Sequence, residues 1–270
     1  MTNLYEDWFN KHKKLNEYKK PLSYLLYISI YLNAIYNIKE YTLIKMVLMY
    51  MFEEMIFISG HIYLHSTFKQ LTLNKQTRIA HYHHYYDPSI YEKMSYLHRT
   101  SYFNRLLLPV YLILALVFSH EDFSMFALIL SYEIIVHESY HVRNPEYFYK
   151  ENIIRYVEKK FIDIGAKLKI HDREKHREHH IQTINNNDDV WDNLWLFGKY
   201  ESLVKNKYAN FIWKSSGQKK NLIIINFVCV IFLIVFSYIK MYGFNENYFL
   251  INFKYNFLVF LTCLVPTSIN

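Results

Sequence analysis

Glycine and proline are scarce, five of each in 270 residues, which disfavours a turn-rich all-β fold and leaves room for long helices. Cysteine is scarcer still: Cys229 and Cys263 both stand inside apolar runs, far apart, so neither a disulfide framework nor a cysteine-built metal site is expected. The N-terminal stretch MTNLYEDWFNKHKK lacks a short apolar core ending in a cleavage site, so no secretory leader is expected there. Any membrane insertion would then use internal segments.

Such segments are present. A span needs roughly 20 apolar residues. Residues 21–38 carry no charge, and 41–60 are apolar apart from Lys45, Glu53 and Glu54. Residues 106–119 and 123–136 are shorter and flank the polar tip His120-Glu121-Asp122. Residues 221–239 form the clearest span, and 249–265 form a weaker one interrupted by Lys254. Paired in order, these segments make three helical hairpins, an all-α, multi-pass membrane protein. The N-terminus, 61–105, 137–220 and the C-terminus then share one side of the bilayer. That side holds 27 of the 31 Lys and Arg residues, so the positive-inside rule makes it cytoplasmic, as in the endoplasmic reticulum or a bacterial inner membrane. The net charge of +7 therefore points to a membrane surface rather than to nucleic acid.

Histidine is sorted the same way, with thirteen of fourteen on that side or at its boundary. On a helix, residues i and i+4 stand on one face about 5–6 Å apart, so two imidazoles can converge on one metal or on adjacent metals. His61 and His65 have this spacing, as do His137 and His141, each pair where an apolar segment ends. His176-Arg-Glu-His179-His180 supplies i, i+3 and i+4. In the fourth cluster, His81-Tyr-His83-His84, a regular helix pairs His81 with His84 and turns His83 away, so the use of all three requires a bend. Ten candidate ligands exceed one four-coordinate zinc site, which makes a cytosolic two-metal centre the economical reading. Imidazole alone does not choose among iron, zinc, copper and nickel. Glu54, two turns before His61, and Glu133, one turn before His137, are placed to orient ligand histidines from behind. His12, His98, His120 and His171 fall outside these spacings and read as ordinary polar residues.

The order HxxxH, a second His-His cluster, HxxxH and HxxHH, interrupted by a membrane hairpin, resembles the fatty acid hydroxylase superfamily, which includes sterol desaturases and sterol C4-methyl oxidases. The resemblance spans residues 43–200 and takes in Asp87-Pro88 and the stretch Trp191-Asp192-Asn193-Leu194-Trp195-Leu196-Phe197-Gly198, similar to a closing Trp-Asp-x-x-Phe-Gly signature with two extra residues. It implies a membrane hydroxylase domain over 1–220, with 221–270 as an additional C-terminal hairpin. It also implies a centre of two irons that uses O2 as co-substrate to oxidise a C–H bond of a fatty acyl, sphingolipid or sterol substrate. With no haem or flavin motif here, the electrons would come from a separate donor such as cytochrome b5, ferredoxin or a reductase. Position by position, His61, His65, His84, His137, His141, His176, His179 and His180 match family ligands, and His83 matches if the His-His pair is the anchor. The second cluster departs from the family's HxxHH, since Ala80 stands three before His83 and His81 is shifted by one. Ile62 replaces a common Arg, and Glu54 a common Asp.

Two other readings compete. His137-Glu138-Ser139-Tyr140-His141 also spells the HExxH of zinc metalloproteases, with Glu138 as general base. A membrane relative that has lost catalysis is the other.

Overall fold

The computed structural model describes residues 28–68, 110–140, 153–184, 194–216 and 220–242, together with Asn256. Every regular element among them is helical. In chain order these are α1 (28–36), a single 3-10 turn at Ile38–Glu40, α2 (Leu43–Phe68), α3 (110–117) and α4 (His120–Tyr140). They are followed by α5 (Ile153–Lys167), α6 (Arg173–Ile184), α7 (Lys199–Ser215) and α8 (Lys220–Tyr242).

Local sequence starts and stops these helices. The Thr42 hydroxyl accepts from the Lys45 N–H at 3.3 Å, Ser119 from Asp122 at 3.2 Å, and the Asp172 carboxylate from Glu174 at 2.9 Å. Each is a side-chain cap on otherwise unsatisfied first-turn donors, of α2, α4 and α6 respectively. The polar tip His120-Glu121-Asp122 is therefore the first turn of α4 rather than a loop between spans. Helix α2 runs past residue 60 to Phe68, a continuous element of 26 residues.

Helix α2 is the axis of the structure, packing on α4, α7 and α8. Lys45 at its start faces Asp122 at the start of α4, and His61 near its end faces His137 near the end of α4, so the two helices run parallel. Helix α8 runs the other way. Its Ile223 packs with Ile58 and Ile62, and its Tyr238 hydroxyl donates to Asp122 at 2.8 Å. Between these ends lies an apolar core with Phe57, Tyr111, Phe118, Phe123 and Phe126 at its centre. Phe118 also stacks on Tyr238, with ring centres 4.8 Å apart.

Part of the region 137–220, expected as a polar external face, packs on α2 in a second apolar cluster. Helix α7 lies along the second half of α2 and buries Ala209, Ile212 and Trp213 against Ile58 and Ile62. Among the described residues one helix, over Asn221–Lys240, is long and apolar enough to cross a membrane. Its Ile225, Val228, Phe232, Leu233 and Phe236 are each more than half exposed. The expected span 249–265, apart from Asn256, and all of 69–109 lie outside the described residues. Asn256 donates to the carbonyls of Ala115 and Phe118, both at 2.9 Å.

Candidate metal centre

Four of the expected ligands meet in one place. His61 on α2, His137 on α4, and His176 and His179 on α6 form a closed ring of imidazoles. His61 lies 4.8 Å from His179, and His137 lies 4.8 Å from His176, between ring centres. The other two edges, His61 to His137 and His176 to His179, are each 5.8 Å. His61, His176 and His179 are buried.

Three helices with no local sequence relation thus deliver imidazoles to a common point. Helix α6 is notable for how it docks. Among its residues with described side chains, only His176 and His179 are buried. A polar helix of 12 residues has little apolar area with which to hold itself in place. Among its described side chains, the buried contacts with the body are made through imidazole.

The spacing can be tested against a metal. Two imidazoles on one ion, with metal–nitrogen bonds of about 2.1 Å, place their ring centres roughly 4.5–5.2 Å apart at octahedral to tetrahedral angles. The two short edges fall inside that window and the two long edges outside it. The ring therefore fits as two pairs, His61 with His179 and His137 with His176, rather than as one four-ligand cage.

Below the ring, toward the start of α2, Phe57 packs edge-on against His61 at 5.8 Å and His137 at 6.2 Å. Beneath Phe57 lies a second polar group. Glu53, Glu54 and Glu133 are fully buried, and their carboxylate oxygens lie within 4.8 Å of one another. They are the one such trio of candidate ligand groups among the described residues. Lys205 of α7 reaches in to pair with Glu54 at 2.9 Å and with Glu201 at 3.0 Å. The same ammonium donates to the Tyr50 hydroxyl at 3.0 Å and to the Leu194 carbonyl. Tyr50 donates in turn to Glu201, whose other oxygen accepts from the Phe197 N–H. Glu54 and Glu133, expected behind the histidines, thus converge on each other, and the segment Leu194–Gly198 is tied to α2 through Lys205.

On the other side of the ring, Tyr140 packs tilted on His176 at 4.9 Å and edge-on against His171 at 5.8 Å. His171, read from the sequence as an ordinary polar residue, is 4% exposed and sits against Gly165. A Cβ on Gly165 would stand 2.7 Å from His171 Nε2 and would also strike the Tyr132 hydroxyl, so only glycine permits this approach. Burial pushes the His171 imidazole below its ordinary pKa, against smaller opposing effects of the Ile162 backbone and Asp172. Burial likewise raises the Tyr140 phenol, with a lesser push from Asp172.

His65 stands one turn beyond His61 on α2, and His180 follows His179 on α6. His81, His83, His84 and His141 lie outside the described residues, as do Asp87-Pro88 and Trp191–Asn193. Of the residues not singled out from the sequence, Tyr50, Glu53, Phe57, Glu201 and Lys205 all belong to the site's support. No family model, curated protein or solved structure matches this chain.

Proposed function

We propose that this chain is an O2-dependent membrane lipid hydroxylase or desaturase built around a pair of iron ions. The observation that carries the reading is the imidazole ring, whose two 4.8 Å pairs have the spacing of two ligand pairs. His61 with His179 would hold one ion and His137 with His176 the other, and His65, His141, His180 and the cluster His81, His83 and His84 remain to complete the two sets. Bound there, the irons would supply activation of O2 for attack on an unactivated C–H bond, drawing two electrons from a separate donor such as cytochrome b5, ferredoxin or a reductase.

The chain's own residues have defined parts in this scheme. Phe57 closes the floor of the ring and keeps water from the carboxylate layer. Tyr140, its phenol kept protonated by burial, walls the opposite side. Lys205 fixes the height of α7 and of Leu194 against the helix that carries His61.

A bilayer setting is supported by two features. The exposed apolar face of α8 is a surface that lipid would cover. The imidazole ring and the Lys45–Asp122 pair lie at opposite ends of α2, about 24 Å apart by helical rise. Between them the packed core of Tyr111, Phe118, Phe123 and Phe126 is apolar, with the buried cluster of Glu53, Glu54, Glu133 and Lys205 at its ring side. The ring would then face the cytoplasm.

The test is turnover. Purified protein loaded with iron, placed in phospholipid vesicles and given a reductant-coupled donor, should consume O2 and yield hydroxylated or desaturated chains by mass spectrometry. Zinc-dependent peptide hydrolysis without lipid oxidation would establish the HExxH reading instead.

A further inference from the structure

A cavity of about 720 Å³ opens beside Tyr140, whose ring packs on His176. Its walls include Trp195 and four cations, Lys159, Lys169, Arg173 and Lys175. Two carboxylates, Asp163 and Asp172, also line it. Both carboxylates are engaged: Asp163 pairs with Lys159 at 2.9 Å, and Asp172 caps α6. Lys175 lies over the Trp195 ring at 4.1 Å, which holds its ammonium at the wall. The cavity is thus positively charged, and it has the size of a small-molecule site.

One detail goes beyond charge. Lys169 holds a left-handed backbone at φ 58°. It ends α5 in a Schellman turn, the Ile170 N–H bonding the Gly165 carbonyl at 2.9 Å and the Lys169 N–H bonding that of Ala166 at 3.0 Å. Glycine is the residue this position favours, yet the chain carries a lysine whose side chain lines the cavity.

We infer that this cavity binds a phosphate group, held by Lys169, Arg173 and Lys175. Arg173 also stands in the first turn of α6, where the helix dipole favours an anion. A phospholipid head and a water-soluble phosphate ester present the same chemistry. If the ligand is a lipid, its head sits against Tyr140, whose ring packs on His176, and the inference then rests on the oxygenase reading and names its substrate class as phospholipid.

The experiment is calorimetric titration of the full chain in neutral detergent with dihexanoylphosphatidic acid, dihexanoylglycerol and inorganic phosphate. Saturable binding of the phosphatidic acid and none of the glycerol is expected. Lys169→Gly should weaken that binding about tenfold, the scale of one charge-assisted hydrogen bond, while raising the thermal unfolding midpoint, because glycine relieves the left-handed residue. Arg173→Gln should weaken binding by a similar factor. Inorganic phosphate binding as tightly as the lipid identifies a soluble phosphate ester, and much weaker binding identifies the lipid head; both support the site. Unaltered phosphatidic acid affinity in both variants, or equal affinity for dihexanoylglycerol, overturns it. Lipid oxidation without phosphatidic acid binding removes this inference alone, and phosphatidic acid binding without lipid oxidation removes the oxygenase reading alone.

Discussion

The His61 ring lies 4.8 Å from that of His179, closer than His179 lies to His176 on its own helix, at 5.8 Å. The tighter pairing is across helices. An ion held by such a pair couples α2 to α6, so the two histidines act as one unit. His61→Ala and His179→Ala should each reduce lipid oxidation by at least about a hundredfold, and the double variant should be no worse than either single one. Additive losses in a double-mutant cycle of turnover would show that the two rings serve separate ends.

Metal removal should loosen α6 before anything else. Among its described side chains that helix buries only imidazoles, so its docking depends on what the imidazoles hold. On chelation, amide hydrogen exchange across residues 173–184 should rise sharply while that of α8 stays unchanged. Uniform exchange in α6 with and without chelator would mean that packing alone keeps it in place.

Lys205 should matter to folding more than any other lysine described. Its ammonium is 2% exposed and joins Glu54, Glu201, Tyr50 and the Leu194 carbonyl. Lys205→Met strips the cation from a buried acidic cluster and should destabilise the protein by about 3–5 kcal/mol, the usual result of breaking a buried ion pair from one side. Adding Glu54→Gln should recover part of that loss. Thermal unfolding of the single and double variants measures it, and an unchanged midpoint for Lys205→Met would contradict the network.

That His176 and His179 share one face of a helix was legible in the sequence, because residues three apart stand on the same side. The helical class followed in the same way from sparse Gly and Pro. What was not legible is set by packing between distant segments. Nothing near residue 205 marks that lysine as buried, because its partners are Tyr50 and Glu54 on a helix far earlier in the chain. The pairing of His61 with His179 rather than His137 depends on how α6 lies across α2 and α4, which no local pattern records. His171 looked like one more surface histidine, since its burial depends on the missing side chain of Gly165 and on two tyrosines of α4. The role of α7 was missed for the same reason: its charged composition hid the face of Ala209, Ile212 and Trp213 that packs on α2.

His171 gives the protein a pH dependence with a defined sign. Its pKa is lowered in the folded state, chiefly by burial, from an unfolded value of about 6.5. Between the two values the unfolded chain binds more protons, so stability rises with pH there. The contribution is complete above about pH 6.5 and declines as pH falls toward the folded value. Unfolding midpoints followed between pH 7.5 and 5 should drop for the wild type and drop less for His171→Gln. Identical slopes would show that His171 does not carry the effect. The variant should keep its bound metal, since His171 lies outside the imidazole ring.

The most direct test of the central claim is the metal content of the purified full-length protein, measured by plasma mass spectrometry after expression in iron-supplied cells. The account predicts two irons per chain, reduced in both the His61→Ala and His137→Ala variants because each takes one short edge of the ring. A single zinc, or no metal above background in the wild-type protein, would contradict it.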